Sequence, residues 1–235
     1  MPPVSVWLIR HGQSTNNAGL PTFGNVDVPL TDVGVEQARA AANRVVRKPE
    51  RLIASPFLRA RATAQIIQEH WPATPFETWP IQELTYLSPA KCQGTTIETR
   101  QPLVDKYWTN CDPEHVDGPG AESFACFLQR VRYFHEQLYE LHDKFVVVVG
   151  HGQFFRAYLL AREWGFVATP EWMRSFRATE TVNPMQNGGI VELKVEALAP
   201  VTERTDRLIH LPYNFHRLRE AIARVSAPEA GGGDD

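Results

Sequence analysis

The chain has 235 residues, 43% of them hydrophobic and 22% charged, with a formal net charge of −3. That balance suits one medium-sized globular domain with a substantial core. It excludes a global basic field for nucleic acid, though not a local basic pocket around a small anion.

No run approaches the roughly 20 apolar residues that span a bilayer, and the opening residues carry no basic leader of a signal peptide. The three cysteines, Cys92, Cys111 and Cys126, form no close pair. They suit a reducing cytoplasm better than a disulfide framework or a thiolate metal site.

In chain order, Val4 to Ile9 is β-rich and runs into Arg10-His11-Gly12. Thr31 is expected to cap a helix over 32–47, with Val35, Ala38, Ala42 and Val45 on one face. Leu52-Ile53-Ala54 reads as a short buried strand. Ser55-Pro56 then resembles an N-cap followed by proline at the first helical position. The next helix carries Ala60, Ala62, Ala64, Ile66 and Ile67 and stops near Trp71-Pro72. Phe76 to Glu83 predicts an imperfect strand interrupted by Pro80. Residues 84–120, rich in Thr, Pro and Gly, read as an excursion, with a short helix around Leu103, Val104, Tyr107 and Trp108.

From Ala121 the apolar positions Phe124, Phe127, Leu128, Val131, Phe134, Leu138 and Leu141 mark a long amphipathic helix. Phe145 to Val149 suits a central strand buried on both faces and ends in Gly150-His151-Gly152. A helix follows with Phe154, Phe155, Tyr158, Leu159 and Leu160. Gly189 to Val195 predicts a strand, and Phe215 to Val225 a terminal helix. Residues 227–235 read as a disordered tail. The alternation predicts an α/β fold, a three-layer α/β/α sandwich with a mostly parallel central sheet, over a single domain of residues 1–226.

Arg10-His11-Gly12 and Gly150-His151-Gly152 share one arrangement: each histidine leaves a predicted strand beside glycine. In parallel α/β sheets ligands gather beyond the carboxyl ends of the strands, so the two imidazoles can face one cleft. Arg59 falls in the first turn of a predicted helix. There free N–H groups and the macrodipole favour anions, and a guanidinium matches phosphate oxygens. Arg61, two positions on, points to a different face.

These residues resemble the histidine phosphatase superfamily, also called phosphoglycerate-mutase-like. Leu8-Ile9-Arg10-His11-Gly12-Gln13-Ser14, with Asn17 behind it, is similar to the family signature. Asp27 to Gly34, Ser55 to Ala64, Gly120-Ala121-Glu122-Ser123-Phe124 with Arg130 downstream, and Gly150-His151-Gly152 resemble its later motifs, in the family's order. The resemblance implies that His11 attacks phosphorus and becomes phosphohistidine. Arg10, Arg59 and His151 would hold the phosphoryl oxygens, helped by Asn17, with Gln13 and Ser14 positioning the loop. Gly152 and the Gln153 backbone would contribute to the phosphate site. Glu83 stands where the family carries its general acid. The charge for phosphoryl transfer would come from two guanidiniums and an imidazolium, with neither metal nor cofactor. Cationic neighbours would push the His11 pKa below about 6.5 and free its lone pair.

Two departures bear on substrate. Phe23 stands before Gly24 where the family often has glutamine or serine. No Gly-x-Trp-x-Gly-like run follows Glu83; Leu84 to Pro89 stands there instead. The resemblance thus implies hydrolysis of a phosphomonoester, with a small phosphorylated molecule as partner, no nucleic acid and no membrane. The substrate and the oligomeric state, monomer or homodimer, stay open. The alternatives are mutase-type transfer of the phosphoryl group to a second hydroxyl, and a non-catalytic phosphate or phosphopeptide module. The scattered His115, His135, His142, His210 and His216 lack metal-site spacing. Trp79, Tyr86, Tyr107, Trp108 and Trp172 read as packing sooner than substrate mouth. Lys91, Arg100 and Lys106 read as surface charges sooner than a second anion site.

Overall fold

A computed structural model of the chain describes residues 2–196. In order they form β1 (Val4–Arg10), α1 (Asp32–Arg44), β2 (Arg51–Ala54), α2 (Leu58–His70), β3 (Phe76–Thr78), α3 (Pro89–Cys92), α4 (Ile97–Asn110), α5 (Phe124–Tyr139), β4 (Phe145–Gly150), α6 (Gly152–Trp164), α7 (Pro170–Val182) and β5 (Ile190–Val195). The strands make one sheet in the order β3-β2-β4-β1-β5. β1 and β2 flank β4 in parallel and β3 is parallel to β2. The edge strand β5 runs antiparallel to β1.

Alternation along the strands divides the core into two layers. Ile9, Leu52, Ala54, Val147 and Val149 pack under α1 and α2 through Ala41, Ala42, Ala60, Ala64 and Ile67. Val6, Leu8, Ile53, Val146 and Val148 face the other way, onto α5, α6 and α7. The expected sandwich and its mostly parallel sheet are therefore present, with every residue of β4 buried. No helix among the described residues is long and apolar enough to cross a membrane.

Several boundaries differ from expectation for identifiable reasons. Thr31 caps α1 by accepting from the Gly34 N–H, but the helix ends at Arg44, three residues early. Ser55 is not the N-cap of α2. That helix starts at Leu58 after an uncapped Phe57, and the Ser55 hydroxyl has another use. β3 stops at Thr78, because past Trp79 the chain turns away, with the Ile81 N–H on the Trp79 carbonyl. α4 is longer than its apolar residues suggest, since a Thr96–Thr99 capping box starts it at Ile97. α5 begins at Phe124 behind its cap Ser123, not at Ala121. α7 was not anticipated: its buried residues are only Trp172, Met173 and Phe176, too few to set a period.

The 84–120 excursion packs onto the same core through Leu84, Leu87, Val104, Tyr107 and Trp108. It also ties to the first loop, where the Thr22 N–H donates to the Thr95 carbonyl at 2.9 Å. The expected terminal helix at 215–225, the tail at 227–235, His210 and His216 lie outside the described residues.

Candidate active site

The ends of β1 and β4 are neighbours in register, Arg10 opposite Gly150. That pairing brings His11 and His151 together, with ring centroids 5.1 Å apart and the planes at 66°. Arg59, near the start of α2, reaches both. Its Nε donates to His11 Nε2 at 3.1 Å, and its Nη2 lies 3.2 Å from His151 Nδ1. A third donor, Nη1, bonds the Asn25 carbonyl at 2.8 Å, and the guanidinium carbon stands 4.8 Å from the centre of the Phe57 ring.

Hydrogen-bond partners assign both tautomers. His11 Nδ1 lies 2.6 Å from the Gly12 carbonyl, an oxygen that only accepts, so Nδ1 carries the proton. Nε2 then presents a lone pair, which the Arg59 donor confirms. On His151, Nδ1 faces a guanidinium and so accepts. Nε2 lies 2.7 Å from Ser55 Oγ and donates to it. That Ser55 hydroxyl also accepts from the Phe57 N–H.

Both imidazoles are held neutral. Burial, more than charge, pushes His11 well below the ordinary histidine value, with Arg59 and Arg10 adding to it. The expected cationic push is present but comes second to burial. His151 is also pushed well below that value, by burial first and then by Arg59 and His11. In place of the expected imidazolium stands a neutral imidazole. Arg59 itself is drawn down to about 10 by burial and keeps its charge at neutral pH.

Arg10 donates through Nη1 to the Met185 carbonyl, while its buried Nε has no partner. Glu83 follows the irregular segment after β3. Its carboxylate accepts from the N–H groups of Gln153 at 3.2 Å, Phe154 at 3.1 Å and Leu84 at 3.2 Å. Two of those donors are the open N-terminal turn of α6. The expected contribution of the Gln153 backbone to phosphate is therefore already directed to Glu83. Burial raises the Glu83 pKa, opposed first by Arg10 and Arg59. Their charges place the carboxylate in the same electrostatic neighbourhood.

The remaining loop residues position more than they present. Asn17 Oδ1 accepts from the Ser14 N–H and hydroxyl and from Asn187 Nδ2. Gln13 Oε1 accepts from the Thr31 hydroxyl at 2.8 Å. Gly12 does not open room for a ligand: an added Cβ would sit 2.1 Å from the Gly34 carbonyl oxygen, so its role is backbone contact with α1. Gly152 borders the Arg10 guanidinium, 3.3 Å from where its Cβ would be.

Residues the sequence reading left out complete the site. Thr63 accepts from the Gly12 N–H and donates to the Arg59 carbonyl, tying the His11 loop to α2. Asn187 Nδ2 donates to the His11 carbonyl at 3.0 Å. It sits in an Asn-Gly turn, a signal that marks a bend but not its proximity to residue 11. Glu180 of α7 is pushed up to about 7 by burial and by the charge of Glu83.

Lys91 pairs with Asp117 at 2.7 Å, and Arg100 bonds Thr22 and Thr95, so neither is an idle charge beside the site. Tyr107, Trp108 and Trp172 are core residues. Among the described residues no group of three or more His, Cys, Asp or Glu side chains is arranged to hold a metal ion.

The family model of the histidine phosphatase superfamily (branch 1) matches residues 6–197. The chain belongs to the histidine phosphatase superfamily. Within it, the chain is 27% identical over 175 residues to the adenosylcobalamin/alpha-ribazole phosphatase of Escherichia coli K12, covering 71% of this chain and 82% of that protein. It is 43% identical over 65 residues to "Probable phosphoglycerate mutase GpmB" of Photorhabdus laumondii, a match spanning only 27% of this chain and 30% of that relative. Among solved histidine phosphatase folds, the native mycobacterial glucosyl-3-phosphoglycerate phosphatase is similar with a TM-score of 0.62 and 25% identity, over 81% of this chain and 89% of that one. The phosphoserine phosphatase of Entamoeba histolytica, at 21% identity and a TM-score of 0.63 over 80% and 89% of the two chains, shares the fold.

Proposed function

We propose that the chain hydrolyses phosphomonoesters through a phosphohistidine on His11, with Arg10, Arg59 and His151 binding the phosphoryl group and Glu83 as general acid. The observation that carries this reading is the His11 tautomer. With Nδ1–H on the Gly12 carbonyl, the Nε2 lone pair points toward the guanidinium that would hold the phosphoryl oxygens. Phosphoryl transfer requires alignment and stabilisation of equatorial charge more than covalent help. A bound phosphate dianion would draw the Arg59 donors onto its oxygens and release Nε2 for in-line attack. It would also raise the His151 pKa, favouring the protonated, charge-bearing form.

In the first step the N–P bond forms as the P–O ester bond breaks, and the departing oxygen takes the Glu83 proton. In the second, the Glu83 carboxylate removes a proton from water, which attacks phosphorus and releases His11 and inorganic phosphate. Burial suits Glu83 to this, because it lifts the carboxyl above its ordinary value of 4.5. Three N–H donors keep the ionised form tolerable in the second step.

The phosphatase names of the longer-aligning relatives support hydrolysis of a small phosphorylated molecule. The shorter match to a mutase-named relative supports a second reading, return of the phosphoryl group to another substrate hydroxyl. A panel of phosphate esters, run with and without EDTA while acid-labile phosphoenzyme is trapped, separates the two. Expected are inorganic phosphate release insensitive to chelator, trapped phosphoenzyme, and loss of both in His11→Ala. Phosphoglycerate isomerisation without phosphate release would favour the mutase reading. Phosphate release at the wild-type rate from His11→Ala would overturn the nucleophile.

A further inference from the structure

The segment that presents Glu83 has no regular secondary structure: residues 79 to 86 lie in no strand or helix, and its bond to β2 is the Trp79 N–H on the Ala54 carbonyl. Its other carbonyl and N–H groups must find partners elsewhere, and two residues, Arg130 and Glu122, supply several of them. Arg130 of α5, 2% exposed, donates through Nη1 to the Pro80 carbonyl at 3.0 Å and the Gln82 carbonyl at 3.1 Å. Glu122 meets the chain on the far side of Glu83: its Oε1 accepts from the Thr85 N–H at 3.2 Å, and its own N–H donates to the Thr85 carbonyl at 2.9 Å. The two side chains lock each other through Arg130 Nη2 to Glu122 Oε1 at 2.6 Å and Nε to Oε2 at 3.0 Å.

The guanidinium carbon lies 5.3 Å from the centre of the Phe127 ring and 5.5 Å from that of Phe154. Phe154 is also the residue whose N–H bonds the Glu83 carboxylate. One buried cation thus holds the backbone before the acid, braces the helix turn that receives it, and fixes the glutamate that holds the backbone after it.

We propose that Arg130 and Glu122 are positioning residues for the general acid, setting where the Glu83 carboxyl stands over the leaving oxygen without touching substrate. This rests on the acid role proposed for Glu83. A pair serving stability alone needs no bonds to residues 80, 82 and 85 in particular. Their convergence on the two sides of one titratable side chain gives the clamp a catalytic consequence.

The test compares p-nitrophenyl phosphate, whose leaving oxygen needs little protonation, with an alkyl phosphate that needs much. Arg130→Lys keeps the charge but cannot bond Glu122 through two donors and reach both carbonyls. Glu122→Gln keeps the shape but turns one acceptor into a donor facing Arg130, and serves where the lysine variant does not fold. Each is made alone and in a Glu83→Gln background, with folding checked by circular dichroism.

Expected is a loss of kcat/KM at least about tenfold larger on the alkyl ester than on the aryl ester, within the range general acids contribute. In the Glu83→Gln background the same change should alter that ratio less than about twofold, since an acid already removed cannot be misplaced. Equal losses on both esters, or a selective loss that persists without Glu83, would overturn the clamp. The acid role stands or falls separately, on whether Glu83→Gln alone is selective for the alkyl ester.

Discussion

At the scale of single residues, the site works by assigning protons through partners. His11 and His151 share one guanidinium, yet they are opposite tautomers, because it donates to Nε2 of one ring and to Nδ1 of the other. Ser55 takes the remaining His151 nitrogen, Nε2, and so helps hold the ring in that orientation. Ser55→Ala leaves a buried Nε2–H without its acceptor, which costs about 1–3 kcal/mol. It also removes one of the two bonds that fix the ring's orientation. The expected result is a fall in kcat/KM of about tenfold or more, one decade per 1.36 kcal/mol, with a lower urea midpoint. Unchanged values for both would show that the serine is passive. Sequence reading singled out Arg10, His11, Arg59 and His151 from the motifs they lie in, and Glu83 from the family resemblance. It read Ser55 as a helix cap, because the dipeptide Ser-Pro looks the same whether its hydroxyl turns to its own helix or across the sheet to residue 151.

At the scale of elements, the His11 loop is wedged between α1 and α2. Gly12 and Gly34 make backbone contact that a methyl group cannot enter: a Cβ on Gly34 would stand 2.0 Å from the Gln13 carbonyl oxygen. The loop is further held by the Thr31 N–H on the Gln13 carbonyl and by Thr63 on the Gly12 N–H. Gly34→Ala must push α1 away from the loop, and overpacking of this kind costs about 1–3 kcal/mol. We expect a lower unfolding midpoint together with weakened turnover, since the displaced loop carries His11, the proposed nucleophile. Wild-type stability and kinetics in this variant would mean that the two backbones separate without strain. Helices with dense apolar periods, α2, α5 and α6, were legible from the sequence. α7 was not, because a helix that buries only Trp172, Met173 and Phe176 has no repeated stripe to read.

At the scale of the whole molecule, burying a polar site makes stability depend on pH in opposing ways. His11 and His151, well below the ordinary value of 6.5, and His135, drawn down to about 4 by burial and Arg162, refuse protons that the unfolded chain accepts. Their contribution is present above about 6.5 and is lost as pH falls. Glu180 acts in the other direction. Folded, it keeps its proton to about pH 7, whereas its ordinary value is 4.5. Its contribution is complete below the ordinary value and is lost as pH rises toward 7. Glu180→Gln has no such loss, so its stability relative to the unsubstituted protein should climb between pH 5 and pH 8 in urea unfolding. A constant gap across that window would place Glu180 in water and remove it from the field of Glu83.

The order of motifs, the strand–helix alternation and the identity of the central strand were settled by sequence, because hydrophobic period and strand-end position are local properties. The placement of the Glu83 segment was not, because bonds that hold it come from residues about 40 to 50 positions further on, and a carbonyl pairs with whatever donor the fold delivers to it. The charge states of the imidazoles were not either. They depend on how completely water is shut out, and exclusion of solvent is a property of assembled layers that no linear pattern carries.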